Sequence, residues 1–416
     1  MKIAVVGTGI SGMVAAYLLH GEHELTVFEA GDRIGGHSHT HEIEIQGQVH
    51  AVDSGFIVYN EKTYPNFVRL LKGLGVASQP APMSFGMSCA RTGLEYSSDS
   101  LNTLFAQRKN LWSLYFWRLL RGILQFNREA GEVMRGGCYE HMTLGDYIAA
   151  KGFERAFCEH YLLPMGGAIW STTPKDLLDY PIRFFVQFFE NHGLLTLADQ
   201  PQWLTITGGS QRYVAALTKE FRQDIHLNTP VQGVRRAGDG VYVRVTGRAE
   251  ERFDQIVFAT HSDVTLRLLQ DPSTAEREIL GAIPYRANEA VLHTDDNLLP
   301  KNPRARAAWN YLLSKEDEKW VTLTYYMNRL QSLPAAEPVC VTLNRGEHIA
   351  PERVLKRMVY DHPVFSTGGL HAQARHAEIS GVNRTHYCGA YWGWGFHEDG
   401  VNSALKVAEY FGRALA

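Results

Sequence analysis

The sequence predicts an α/β fold in two parts, and three observations predict it. The chain has 416 residues, about two to four times an ordinary domain, which calls for two cores. A β-branched run at its start, Lys2–Gly7, enters a glycine-rich turn and then a helical stretch. A second glycine-rich strip, His386–Gly400, is again followed by a helical stretch, Val401–Phe411.

Composition narrows the class. Hydrophobic residues make up 45% and charged residues 20%, ordinary for a globular chain and too apolar for disorder. Net charge is −3 with no long run of one sign, which argues against nucleic acid as a partner. The five cysteines (Cys89, Cys138, Cys158, Cys340, Cys388) are scattered and none has CxxC spacing. Neither a disulfide framework nor a zinc knuckle is expected, and a reduced, cytoplasmic setting fits. The opening MKIAVVG is too short for a signal core and reads as the first strand.

The start of the chain reads as a Rossmann-like nucleotide site. Gly7-Thr8-Gly9-Ile10-Ser11-Gly12 lies between a strand and a helix, and Leu25–Glu29 reads as the next strand. Gly7 permits the tight turn, Gly9 admits a pyrophosphate to the backbone, and Gly12 allows close helix–strand packing. Free amides at the helix start, around Ile10 and Ser11, face the phosphates and the helix dipole adds attraction. Glu29 ends the second strand, 17 residues beyond Gly12, where a carboxylate accepts hydrogen bonds from ribose hydroxyls and repels a 2′-phosphate.

The next residues, Glu29-Ala30-Gly31-Asp32-Arg33-Ile34-Gly35-Gly36, resemble the segment that follows this motif in the flavin amine oxidase superfamily. That superfamily includes amine oxidases, protoporphyrinogen oxidases and carotenoid desaturases. The resemblance implies FAD, with Glu29, Ala30, Arg33, Gly35 and Gly36 along the cofactor. Val52-Asp53-Ser54-Gly55 and Thr205–Leu217 resemble further family segments. Asn228-Thr229-Pro230-Val231 looks like the strand that meets the adenine, with Val231 at the matching position. His386–Gly400, including Gly389, is similar to the closing strip, and the helix after it implies amides of Gly400, Val401 and Asn402 at the flavin. The resemblance therefore implies a discontinuous FAD-binding domain (1–75, 205–270, 380–416) with an inserted α+β substrate domain (76–204, 271–379). The first insertion is expected to be helical and the second strand-rich, with strands at Arg286–Thr294, Lys319–Tyr326 and Glu337–Asn344.

Departures from the family pattern are informative. His37 stands where an arginine is common, and Ala390 where an acidic residue commonly follows the glycine. Phosphate and ribityl contacts must then be partly rerouted, although His37 remains beside the cofactor. Arg286–His293 has no lysine where amine-oxidising members carry one, and Asn288 or Glu289 falls nearest that place.

Other residues carry two readings each. His37, His39 and His41 alternate, with His50 nearby; such a row suits a metal, but it lies on the cofactor strip, where His37 or His39 donates to phosphate or flavin. No metal is expected. Trp392, Trp394 and Phe396 form either a substrate wall or core packing. His397 and Glu398 are the ionisable pair beside them and the candidates for proton relay. Pro181–Phe189, with Trp170 and Trp203, suits a core or the lining of a lipid tunnel. Leu111–Gln125, rich in Trp and Arg, packs on a core or lies in a bilayer interface, peripheral to the inner membrane face.

A closer resemblance is to a bacterial branch of FAD-binding proteins associated with enzymes that methylate or cyclopropanate fatty acyl chains. It implies a fatty-acyl or lipid desaturase or oxidase. A flavin amine oxidase and a non-catalytic flavin-binding partner of a lipid-modifying enzyme are the alternatives.

Overall fold

The apolar run Lys2–Val6 becomes the central strand of a five-stranded parallel sheet in a computed structural model that describes residues 1–170, 172–195, 201–314 and 322–415. The strand order is Ile225–His226, Glu24–Phe28, Lys2–Val6, Gln255–Phe258 and Thr385–Tyr387. A parallel sheet is covered on both faces, so its strands read as continuous apolar runs rather than alternating ones. Ile3 and Val5 face one layer, with the helices Ile10–Leu19, Pro65–Gly73 and His397–Tyr410. Ala4 and Val6 face the other, where an antiparallel meander packs, Val231–Ala237, Gly240–Val245 and Glu251–Phe253.

A seven-stranded sheet holds the second part, in the order Val354–Pro363, Tyr285–His293, Cys340–Leu343, Leu323–Tyr326, Trp309–Leu313, Phe85–Cys89 and Leu94–Ser97. The strands expected at 286–294 and 337–344 are present, the latter shortened. That expected at 319–326 is seen from Leu323, residues 319–321 lying outside those described. The first insertion is helical, with Leu114–Arg135 and Ile182–Asn191, yet it also gives this sheet two strands. Those two, FGMSC and LEYS, are buried at eight of their nine residues and so lack the alternation that marks a strand.

Buried polar groups fasten the segments together. Asp53 accepts from Ser210 N (2.9 Å), Ser210 Oγ (2.7 Å), Thr40 Oγ1 (2.6 Å) and Gln331 Nε2 (3.0 Å). Burial nevertheless pushes its carboxyl up to about 6. On the other side of the molecule, Glu276 accepts from both Arg236 Nη atoms and from Tyr387 Oη (2.5 Å), joining the meander to the edge of the parallel sheet. Arg236 and Glu276 side chains are only 4% and 3% exposed.

Burial raises the Glu276 carboxyl, but the bonds from Arg236, Tyr387 and Ser273 outweigh it and hold it at about 2. Glu276→Gln leaves the buried guanidinium only Asp271 (3.2 Å from Arg236 Nε) as counter-charge, and unfolding in urea is expected to show a loss of about 2–3 kcal/mol. In the native protein the Glu276 contribution is complete above the unfolded pKa of about 4.3 and drains away as pH falls toward 2. A urea series across that range checks the slope.

Candidate functional site

The glycines of the first turn are placed by contact rather than by composition. A Cβ on Gly12 would lie 2.0 Å from Gly7 O, so helix and turn meet backbone to backbone. Gly7 has φ +102°, and a Cβ there would lie 2.9 Å from Ala259 O. A Cβ on Gly9 meets nothing within 4 Å, because this residue faces an open crevice. The first helical bond runs from Met13 N to Gly9 O (3.0 Å), and no side chain caps the helix. The amides of Ile10, Ser11 and Gly12 therefore have no partner within the helix and face the same crevice. This is a cradle for a diphosphate.

Glu29 stands at the other end of the crevice. Its Oε2 accepts from Thr8 N (3.0 Å) and from Thr8 Oγ1, and its Oε1 from Gly31 N (2.8 Å). The carboxylate is fixed in direction, with lone pairs left for sugar hydroxyls. Thr229 N donates to Glu29 O (2.8 Å) and Glu29 N to His226 O (2.9 Å), which draws the segment leading to Val231 up to this tip, beside exposed Ala30. Arg33 donates to Ser38 O (3.1 Å) and Gly36 O (2.6 Å) and bends the second glycine strip. Gly35 and Gly36 take φ of +125° and +57°, and a Cβ on Gly36 would lie 2.9 Å from Gly9 Cα. The two strips thus press together along the crevice.

The closing helix begins earlier than the sequence suggests. Asp399 accepts from Phe396 N (2.9 Å) and starts the helix at His397, so Gly400 N is already bonded to Phe396 O (3.1 Å). The first-turn amides are those of His397, Glu398 and Asp399, not of Gly400, Val401 and Asn402. Gly400 instead lets this helix meet the first, since a Cβ there would lie 2.6 Å from Ile10 Cγ2. Val401 is buried in the core, and Asn402 Oδ1 accepts from Asn66 Nδ2 (2.8 Å). Gly389 N donates to Ser403 Oγ (2.9 Å), and its own Cβ position would lie against the Tyr391 ring. Burial pushes the Asp399 carboxyl up to about 7.

His397 and Glu398 do not act as a pair. Glu398 accepts from Asn66 N (3.0 Å) and Phe67 N (2.9 Å), capping the helix Pro65–Gly73 and turning away from the crevice. His397 stacks on Phe56 (3.5 Å between centroids), with Nε2 3.0 Å from both Ser38 Oγ and Tyr213 Oη. Burial lowers its pKa to about 3, so the ring is neutral. Trp392 is likewise not a substrate wall: it packs on His376 (4.4 Å) against the meander side of the sheet.

Trp394 and Phe396 do line a cavity, of about 680 Å³, in which Trp170, Phe188 and Trp203 of the first insertion also appear. His37 stands at this cavity, its ring 5.0 Å from Tyr360 and 5.5 Å from His362. His39 and His41 do not line it: their rings lie 3.9 Å apart and bond Tyr360 Oη (3.1 Å) and Ser54 Oγ (2.8 Å), both at the cavity, while His37 precedes the strand Thr40–Ile45. Among the described residues no group of His, Cys, Asp or Glu is arranged to hold a metal. Sequence reasoning missed Trp309, Tyr325, Tyr360 and His362, which reach the lining from the seven-stranded sheet. Trp309 and Tyr325 pair only across two strands, and no local pattern announces such a pairing. On the strand Tyr285–His293, Asn288 is buried and bonds His362 Nδ1 (3.2 Å), whereas Glu289 turns out to Arg357 (2.6 Å).

A phosphate cradle on a parallel sheet, tied through Gly36 and His37 to an aromatic cavity beside a second sheet, is the layout of a two-part dinucleotide-binding protein. The model of the flavin-containing amine oxidoreductases matches residues 10–343, and the chain belongs to that family, with FAD as cofactor. It is 25% identical over 311 residues to an L-amino-acid oxidase of Siganus canaliculatus, across 70% of this chain and 56% of that protein. The chain thus spans a little over half the length of this relative. The fold matches cyclohexylamine oxidase of Brevibacterium oxydans (TM-score 0.70, 16% identity, 99% of each chain). It also matches a conjugated-linoleic-acid-producing fatty acid isomerase of P. acnes (TM-score 0.71, 15% identity, 98% of each chain).

The crevice suits FAD by its donors: unsatisfied amides for the diphosphate and a fixed carboxylate for the ribose. Gly9→Glu sets a carboxylate against the phosphates from a Cβ position that meets no protein atom within 4 Å. The purified variant is expected to keep its far-ultraviolet circular dichroism and to lack flavin absorption; a full flavin spectrum would refute the placement.

Proposed function

We propose that the protein is an FAD-dependent oxidoreductase that withdraws a hydride from an apolar substrate, a fatty-acyl chain, as a desaturase or oxidase. The observation that carries this reading is the cavity lining. Among the described residues it contains no lysine or arginine, and its one carboxylate, Asp99, is engaged by Arg329 (2.7 Å). Its four histidines are neutral: burial holds His192 and His362 at about 4 and His397 at about 3, and lowers His37 well below the usual range. An amino acid or diamine would bring charges that this lining leaves uncompensated, at a cost of several kcal/mol. A hydrocarbon chain asks only for shape and dryness, and about 680 Å³ lies within the range of cavities that enclose such ligands. The fold itself does not choose between these substrates, since it serves both an amine oxidase and a fatty acid isomerase.

FAD, when bound, accepts the hydride. The chain's own groups do the rest. Trp394 and Phe396, backed by Phe188 (5.0 Å from Phe396), hold the substrate against one wall and exclude water. Desaturation also releases a proton, and His37 and His362 at the cavity, whose burial disfavours the charged form, pass it on rather than keep it. The strand Tyr285–His293 carries no lysine, and Asn288 bonds His362 there (3.2 Å), which supports the acyl reading over the amine one.

Anaerobic mixing of the FAD-loaded protein with phospholipids that bear modified acyl chains is expected to bleach the flavin. Bleaching by a panel of amines instead would transfer the protein to the amine oxidases. If neither reduces the flavin, the protein is a flavin-binding partner rather than a catalyst.

A further inference from the structure

The long helix Leu114–Arg135 and the turn before it leave a large apolar surface uncovered. Trp112 is 90% exposed, Leu114 68%, Trp117 49% and Leu124 56%, with Leu101 of the preceding segment at 76%. On a helix, residues 114, 117, 121, 124 and 128 recur every three or four positions and form one outer stripe: Leu, Trp, Arg, Leu, Arg. A second stripe on the same helix, Leu120, Ile123 and Asn127, lines the cavity. Leu124 belongs to both, since it lines the cavity and stands more than half exposed. The uncovered face therefore continues into the lip of the cavity.

Charge points to what covers it. Residues 101–128 contain Arg108, Lys109, Arg118, Arg121 and Arg128 and no aspartate or glutamate, in a chain whose net charge is −3. Glu154 and Glu129 each approach within 3.6 Å of Arg118 and Arg128, which leaves Arg108, Lys109 and Arg121 to carry the positive field. Indole rings beside basic residues suit the headgroup layer, where the ring is half in hydrocarbon and the cation meets phosphate. No helix among the described residues is long and apolar enough to cross a bilayer.

From this we infer that the face formed by Trp112, Leu114, Trp117, Arg121 and Leu124 docks on an anionic phospholipid bilayer and opens the cavity at Leu124 to the acyl layer. The inference deepens the acyl-chain reading and takes its purpose from it: the substrate passes from bilayer to cavity without crossing water.

Flotation of the FAD-loaded protein with vesicles tests it. Binding is expected to phosphatidylglycerol–phosphatidylethanolamine vesicles, weakened by salt, and much less to pure phosphatidylcholine. Trp112→Ala with Leu114→Ala should weaken partition about tenfold or more, and Arg121→Glu should weaken it further. These side chains are exposed, so an unchanged flavin spectrum and melting temperature confirm that the variants are folded. Absent vesicle binding, or equal binding by the variants, overturns the assignment. So does a dimer that separates on Trp112→Ala, which would give the face to a second copy of the chain. Partition is read without turnover, so the two ideas fail separately. Vesicle binding with the flavin left oxidised removes the acyl reading and keeps the face; bleaching by detergent-dispersed lipid without vesicle binding does the reverse.

Discussion

The close approach that three glycines permit is the constraint on which the rest of the structure depends. Gly12 brings the first helix onto the turn at Gly7, Gly36 brings the second strip onto Gly9, and Gly400 brings the last helix onto Ile10. A single methyl group at Gly12 or Gly400 would require shifts that a packed interior resists. Because these contacts are met, the free amides of the first helix and the carboxylate of Glu29 end up along one crevice. That crevice lies at the ends of the central strand Lys2–Val6 and its neighbour Glu24–Phe28, and Gly36, pressed on Gly9, is followed by His37 of the aromatic cavity. Cofactor recognition thus starts from tight packing, which leaves the amides of the first helix free for the phosphates.

Those parts of the site set by local sterics were legible in the sequence. Gly7, Gly9, Gly12 and Glu29 follow from one strand–turn–helix–strand unit, which distant residues such as Ala259 and His226 then brace. The closing helix was displaced by one turn, because its start is decided by the Asp399 carboxylate taking Phe396 N, not by the last glycine of the strip. Glu398 looked catalytic by nearness to His397. Its real partners are the amides of Asn66 and Phe67, more than 300 residues away in sequence, and no spacing rule reaches that far. Trp392 was misread for a related reason. In a tight loop, neighbours two residues apart can face opposite sides of a sheet, and the alternation of Tyr391, Trp392 and Trp394 does not say which.

The cavity was half legible. Aromatic density in the first insertion marked Trp170, Phe188 and Trp203, but the opposite wall comes from strands that meet only in the finished sheet. The resulting division of labour is physical. The nucleotide side of the molecule is polar where backbone amides are left free, and the substrate side is apolar with its imidazoles stripped of charge by burial. Two solvent environments stand side by side, and any reacting carbon at their junction would leave one for the other.

The central strand of the parallel sheet, Lys2–Val6, acquires its neighbours from widely separated stretches: Gln255–Phe258 on one side and, beyond that, Thr385–Tyr387. During synthesis at roughly 5–20 residues per second, the opening strand waits on the order of half a minute for its outermost companion. Through that interval the edge that Thr385–Tyr387 will cover stays unpaired, a strand edge open to other chains and to nascent-chain chaperones.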